Sequence, residues 1–208
     1  MRQKRLTRII IILILVALGV IVPEQLVNQN TSNNTENVEL ATNELIESIE
    51  EESTLDAVKF VRTVDGDTII VEDATGQQKR VRMIGIDTPE SVAQEEERNN
   101  EYGVIASDYT KALLKDTDKL YLEYDVDCDD QYDRILAYVW LSDVKDTFNE
   151  ENIKNSMVNA IIVENGYGIA KTYNPTVAHD EFLHELMADA DENNTGLWQY
   201  QEFRDLWK

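Results

Sequence analysis

A single cysteine, Cys128, leaves the chain without any possible intrachain disulfide. It sits among Asp125, Asp127, Asp129 and Asp130, a setting unlike that of a reactive thiolate, and it reads as incidental. Histidine is almost as scarce. His179 and His184 are the only two, five positions apart rather than the four that place two zinc ligands on one helical face, and both read as surface residues. Basic residues are few: 19 Lys and Arg stand against 41 Asp and Glu, a formal net charge of -22. That balance is the opposite of the usual nucleic-acid footprint. A polyanionic substrate would have to be gripped by a local site against an adverse field. Long hydrophobic runs are missing too. The longest, Ile9 to Val22, counts 14 residues, where a membrane-spanning helix needs about 20.

That run follows Arg2, Lys4, Arg5 and Arg8 and stops at Pro23. A basic start followed by an apolar stretch is the signature of an export signal. Ala17-Leu18-Gly19 is the best small-x-small cleavage match, so residues 1–22 read either as a cleaved signal peptide or as an N-terminal membrane anchor. Both place the rest of the chain outside the cytoplasm, secreted or tethered to the outer face of the membrane, because the positive end stays inside. Residues 23–56 hold nine acids and no base, are rich in Asn, and have few large apolar side chains. Such a segment buries too little to offset its ordering entropy and reads as a disordered acidic linker. Residues 57–208 then form the folded domain, and they remain strongly acidic.

Within it, Val58, Phe60, Val61 and Val64 predict a strand, closed by the turn signal Asp65-Gly66. Asp67 to Glu72 and Gln78 to Ile86 predict two more, separated by a turn at Asp73 to Gln77. Tyr102, Ile105, Ala106, Tyr109, Ala112 and Leu113 recur at helical spacing. Leu120 to Tyr124 and Ile135 to Leu141 predict a fourth and a fifth strand. After a charged connection at 142–155, Ser156 is expected to cap a helix carrying Val158, Ile161 and Ile162, ending at Asn165-Gly166. Phe182, Leu183, Leu186, Met187 and Ala190 form the face of a last helix. Five short strands with a helix between the third and fourth are the pattern of an OB-type barrel, so the expected class is α+β: a five-stranded OB-fold barrel with three helices.

The polar residues that interrupt this pattern cluster at strand ends. Asp65 and Asp67 flank the first turn, Arg82 lies on the third strand, and Asp87, Thr88, Pro89 and Glu90 follow it. Arg134 opens the fifth strand, two residues after Tyr132. An Asp-Thr-Pro after a strand is by itself most often a turn. However, strands two and three run antiparallel, so Asp67 and Asp87 can face one ion. Carboxylates are hard oxygen donors suited to Ca²⁺ or Mg²⁺, and arginine is the side chain best matched to phosphate.

The segments VDGDTIIV, RVRMIGIDTPE, YGVIAS and DQYDRILAYVW, in this order, resemble the staphylococcal nuclease (thermonuclease) family, and the likeness runs from about Val58 to Trp198. The resemblance implies a Ca²⁺-dependent hydrolase that cuts DNA and RNA and leaves 3′-phosphate ends, acting as a monomer without an obligate protein partner. By position it implies Asp67 and Asp87 as metal ligands, with Thr88 contributing its carbonyl. Glu90 would be the general base, and Arg82 and Arg134 the phosphate-binding arginines. Tyr132 and Tyr173 would border the nucleotide, and Asp65 would stand behind the ligands. The chain also departs from the family. Its loop after the motif carries Glu95, Glu96 and Glu97 where lysines are expected. Gln131 replaces a pocket lysine, and Lys171 replaces a pocket tyrosine, where it is expected to contact the substrate alongside Tyr132 and Tyr173. The competing readings are a non-catalytic OB-fold module that binds nucleic acid or protein, and a structural protein of the cell envelope. Each leaves a complete set of Arg82, Glu90 and Arg134 without a purpose.

Overall fold

The computed structural model describes residues 55–91 and 100–208. The expectations for residues 1–22, for nearly all of the linker and for Glu95 to Glu97 fall outside them. Among the described residues no helix is long and apolar enough to cross a membrane.

Five strands close into a barrel in the order β1-β2-β3-β6-β5, where β1 is Asp56–Asp65, β2 Thr68–Glu72, β3 Gln78–Met83, β5 Lys119–Glu123 and β6 Ile135–Trp140. Closure rests on β1. Its first residues pair with β5, Asp56 opposite Leu122, and from Lys59 onward it pairs with β2. Register shifts between Phe60 and Arg62 and between Thr63 and Asp65 mark where it bends; an extra residue in one strand sharpens its twist and lets a sheet curl. On the far side β3 and β6 run parallel, with Arg82 opposite Leu136. Alternation then sorts the side chains: Ile69, Val71, Val81, Met83, Leu120, Leu122, Ala137 and Val139 are all fully buried. This is the OB barrel that the strand pattern predicts.

Three helices fall where the periodicity places them: α1 (Glu101–Leu113), α3 (Val158–Glu164) and α4 (Asp180–Glu192). Two short ones were not legible. The charged connection contains α2 (Glu150–Ser156), whose first turn is capped by the Asn149 side chain accepting from Asn152 N at 3.0 Å. Ser156 therefore does not cap α3. It is the last residue of α2, and its carbonyl accepts from Leu141 N at 2.8 Å. Met157, fully buried against Trp140, forms the break between the two helices. The other is α5 (Gln201–Asp205), which buries Phe203 in a satellite core with Ala106, Ala190, Leu197 and Trp198.

The core holds two polar groups that tie the layers together. Asn159 on α3 accepts from Val139 N at 2.9 Å and donates to the Ile84 carbonyl at 2.8 Å, joining β6 to the end of β3. His179, read from sequence as a surface residue, is buried. Its Nε2 lies 3.0 Å from Glu123 Oε2, the same oxygen that accepts from the Trp140 indole, and Tyr138 and Phe148 pack against its ring. Helical spacing alone could not reveal this, because its partners come from β5 and β6. His184 is half-buried, beside Thr172 and Asp180.

A two-stranded ladder leads to the site. β4 (Ile86–Asp87) pairs antiparallel with β7 (Ile169–Ala170), placing Asp87 opposite Ile169, and Lys171 N donates to the Gly85 carbonyl at 2.9 Å.

Candidate active site

The β2–β3 register sets Thr68 opposite Arg82, and Met83 N donates to the Asp67 carbonyl at 2.9 Å. The Arg82 side chain therefore leaves the barrel beside Asp67. Its Nη1 lies 3.0 Å from Asp67 Oδ2 and donates to the Met83 carbonyl at 2.9 Å, while Nη2 donates to Asp87 Oδ1 at 2.8 Å. One guanidinium thus stands between two carboxylates that are 20 positions apart in the chain. Asp67 is held further by Thr88, whose N and Oγ1 donate to Oδ2 at 3.0 and 2.9 Å, and by Thr68 Oγ1 donating to Oδ1 at 3.0 Å.

Burial pushes the Asp67 carboxyl above its ordinary pKa, with Arg82 and the two threonines pulling against it. Burial works against the charge of Arg82 as well, but Asp67 and Asp87, with Tyr173 and Glu90, more than offset this and hold the guanidinium above its usual value. Burial also raises the Tyr173 phenol, which faces Arg82, Asp87 and Lys171. The Lys171 ammonium lies 2.5 Å from Asp87 Oδ2 and 5.5 Å from the Tyr173 ring, and its bond to Asp87 raises its pKa. This contact follows from the β4–β7 ladder: Lys171 is two residues beyond Ile169, on the same face and diagonal to Asp87.

The turn that carries Glu90 is fastened from three sides. Asp65 is occupied with it: Ser91 donates to the Asp65 carboxylate from Oγ at 2.7 Å and from N at 3.3 Å, while Gly66 N donates to the same group at 2.9 Å. A Cβ on Gly66 would meet Thr88 Oγ1 at 2.6 Å, so only glycine lets Thr88 close over this turn. Behind it, the Thr110 hydroxyl on α1 donates to the Gly66 carbonyl at 2.7 Å. The start of α1 completes the frame. Asn100 N donates to the Glu90 carbonyl at 3.2 Å, and the Asn100 side chain caps the helix by accepting from Gly103 N at 2.9 Å.

The structure therefore brings together Asp67, Arg82, Asp87, Thr88, Glu90, Lys171 and Tyr173. Arg134 stands at the mouth of β6 with its own partner: Nε and Nη2 reach Asp130 Oδ2 at 2.7 and 2.6 Å, and the guanidinium lies 5.4 Å from the exposed Tyr132 ring. Arg134 immediately precedes β6, two residues before Leu136, the partner of Arg82 across the β3–β6 pair. Sequence reasoning missed Ser91, Asn100, Gly103 and Thr110. None is a chemical group of the reaction, and only the packing of α1 on the turn shows what they do.

A family model described as staphylococcal nuclease homologue matches residues 80–200. The thermonuclease of Staphylococcus hyicus is 39% identical over 140 residues, covering 67% of this chain and 74% of that protein. The thermonuclease of Staphylococcus intermedius is 36% identical over 138 residues, 66% of this chain and 73% of its own length. The endonuclease YhcR of Bacillus subtilis is 27% identical over 143 residues, 66% of this chain but 11% of that much longer protein.

Proposed function

Because the chain belongs to the staphylococcal nuclease family, we propose that it is a Ca²⁺-dependent nuclease that hydrolyses DNA and RNA to 3′-phosphate ends. The observation that supports this reading best is the pair Asp67 and Asp87 facing a single positive centre, with Glu90 on the adjoining turn. The donor chemistry fits the metal. Asp67, Asp87 and the Thr88 carbonyl are all oxygen donors, the kind hard cations take, and both carboxylates already converge on one cation, the guanidinium. Among the described residues no group of three or more acidic, His or Cys side chains could hold an ion. With two carboxylates and one carbonyl the site offers few protein ligands, so Ca²⁺ would bind weakly, at about 10⁻⁴–10⁻³ M, the range of extracellular modules. When bound, the ion supplies a Lewis acid for a phosphoryl oxygen.

The chain's own groups do the rest. Arg82, held in place by Asp67, Asp87 and the Met83 carbonyl, sets its positive charge beside the phosphate, and Arg134 grips the phosphate from the start of β6; charge-assisted bonds of this kind fix geometry as well as neutralise charge. Glu90 accepts a proton from the attacking water. The new bond joins that oxygen to phosphorus, the bond from phosphorus to the 5′-oxygen breaks, and the leaving oxygen takes a proton from solvent. Tyr132 and Tyr173 border the nucleotide. We place the domain outside the cytoplasm, on the charge and hydropathy pattern of residues 1–22.

The test is digestion of plasmid and RNA with Ca²⁺, with Mg²⁺ and with chelator, by the wild type and by Glu90→Gln. Cleavage is expected only with Ca²⁺ and should fall about 10²–10⁴-fold in the variant. Equal rates would remove Glu90 as the base. A folded wild type that binds nucleic acid without cutting it would support the binding-module reading instead.

A further inference from the structure

All four carboxylate oxygens of Asp67 and Asp87 already face donors: Arg82, Thr88 and Thr68 on Asp67, and Arg82 and Lys171 on Asp87. A divalent cation at this pair therefore meets positive charge already in place on both carboxylates, and it binds most readily where that charge gives way. The candidates differ in how firmly they are held. The Arg82 side chain is 13% exposed and is fixed by both carboxylates and by the Met83 carbonyl. Thr88 N is backbone, anchored by the turn. Lys171 is 46% exposed. Its ammonium sits at the end of a flexible four-carbon stem, and ammonium ions are strongly hydrated and make no fixed fork. Of the cations on the two carboxylates it is the one released at least cost, and it lies on Asp87 Oδ2, the oxygen that Arg82 does not hold.

Taking the metal reading above as its premise, we propose that Lys171 is the internal competitor of this cation site. Its ammonium occupies the Asp87 oxygen that a divalent ion takes, so ion binding and release of Lys171 are one event. The departure at this position then has a consequence: metal affinity is set by a lysine 84 residues from its partner rather than by the carboxylates alone. A half-exposed ammonium–carboxylate pair lowers the affinity of a competing ion by a factor of about five. Loss of a distant surface charge, by comparison, changes it less than about twofold across a Debye length of screening.

The experiment is a calorimetric titration of the full chain with CaCl₂ alone, without nucleic acid. It compares wild type, Lys171→Met, and Lys111→Met, which removes an equal charge from an exposed pair with Asp108 on α1. Lys171→Met is expected to bind Ca²⁺ about fivefold tighter, with Lys111→Met within about twofold of wild type. In parallel, acylation of lysines is followed by mass spectrometry in saturating Ca²⁺ and in chelator. Lys171 is expected to react several times faster with Ca²⁺ present, and Lys111 at one rate throughout. Unchanged or weaker binding by Lys171→Met, equal gains in both variants, or a Lys171 reactivity indifferent to Ca²⁺ would overturn the inference while leaving the nuclease reading standing. If no variant, wild type included, binds Ca²⁺, the metal reading falls and the inference with it.

Discussion

Replacing Gly103 by alanine sets two effects of opposite sign against each other. In an ordinary helix the change stabilises, by up to about 1 kcal/mol, because alanine loses less backbone entropy than glycine. Gly103 lies in the first turn of α1, where that gain is at its smallest. A Cβ built there would lie 2.3 Å from the Glu90 carbonyl oxygen, 2.5 Å from its carbon and 2.8 Å from the Pro89 carbonyl oxygen. All three are backbone atoms that no rotamer change can move aside, and relief requires the turn and the helix to part by about 1 Å. Overpacking of this kind costs about 1–3 kcal/mol, so a net loss of about 1–2 kcal/mol is expected. With a urea slope of about 1–3 kcal/mol per M, the unfolding midpoint falls by about 0.5–1 M. The functional consequence is larger, because the displaced atoms belong to the residue assigned as the base. A 1 Å misplacement of a positioned group costs about 10²-fold in rate. Asp67 and Asp87 make none of these contacts, so Ca²⁺ affinity should stay within about twofold of wild type. Urea unfolding, a single-turnover cleavage assay and a Ca²⁺ titration separate the three quantities. A variant as stable as wild type with an unchanged rate would show that α1 does not press on the Pro89–Glu90 backbone, and the account of how Glu90 is positioned would be wrong.

Asn159→Leu removes the partner of Val139 N–H and of the Ile84 carbonyl, both inside the core; at about 1–3 kcal/mol for each buried group left unpaired, thermal unfolding should drop by about 4–24 °C, and a drop under 2 °C would mean another partner takes over. In alkaline titration of tyrosine absorbance, burial holds Tyr109 at about 12 in the folded protein. Since this folded pKa lies above the unfolded value near 10, its contribution to stability is intact below about pH 10 and is lost as the pH rises toward 12. Denaturant titrations at pH 9, 10.5 and 11.5 should therefore show stability falling across the last two, and a flat profile would contradict the burial of this phenol.

The alternation of Ile69, Val71, Val81 and Met83 and the helical spacing in α1, α3 and α4 could be read directly because each reports which side of one element is buried. The short helices α2 and α5 could not, since each is held by a cap or by a single buried phenylalanine rather than by a repeating stripe. The ordered motifs of the site were equally open to reading, and so was the departure at Lys171.

What the amino-acid string determined by itself was local: which residues alternate, where the chain turns, and which chemical groups stand at the ends of strands. What the tertiary structure alone decided was pairing across long separations. It put Lys171 on Asp87, closed Gly103 onto the Glu90 backbone, linked Asn159 to β6 and the end of β3, and buried His179 against Glu123. The physical reason is that periodicity records a residue's environment as inside or outside. Its partner is chosen by strand register and by the packing of elements distant in the sequence, and neither is written in the spacing of any one segment.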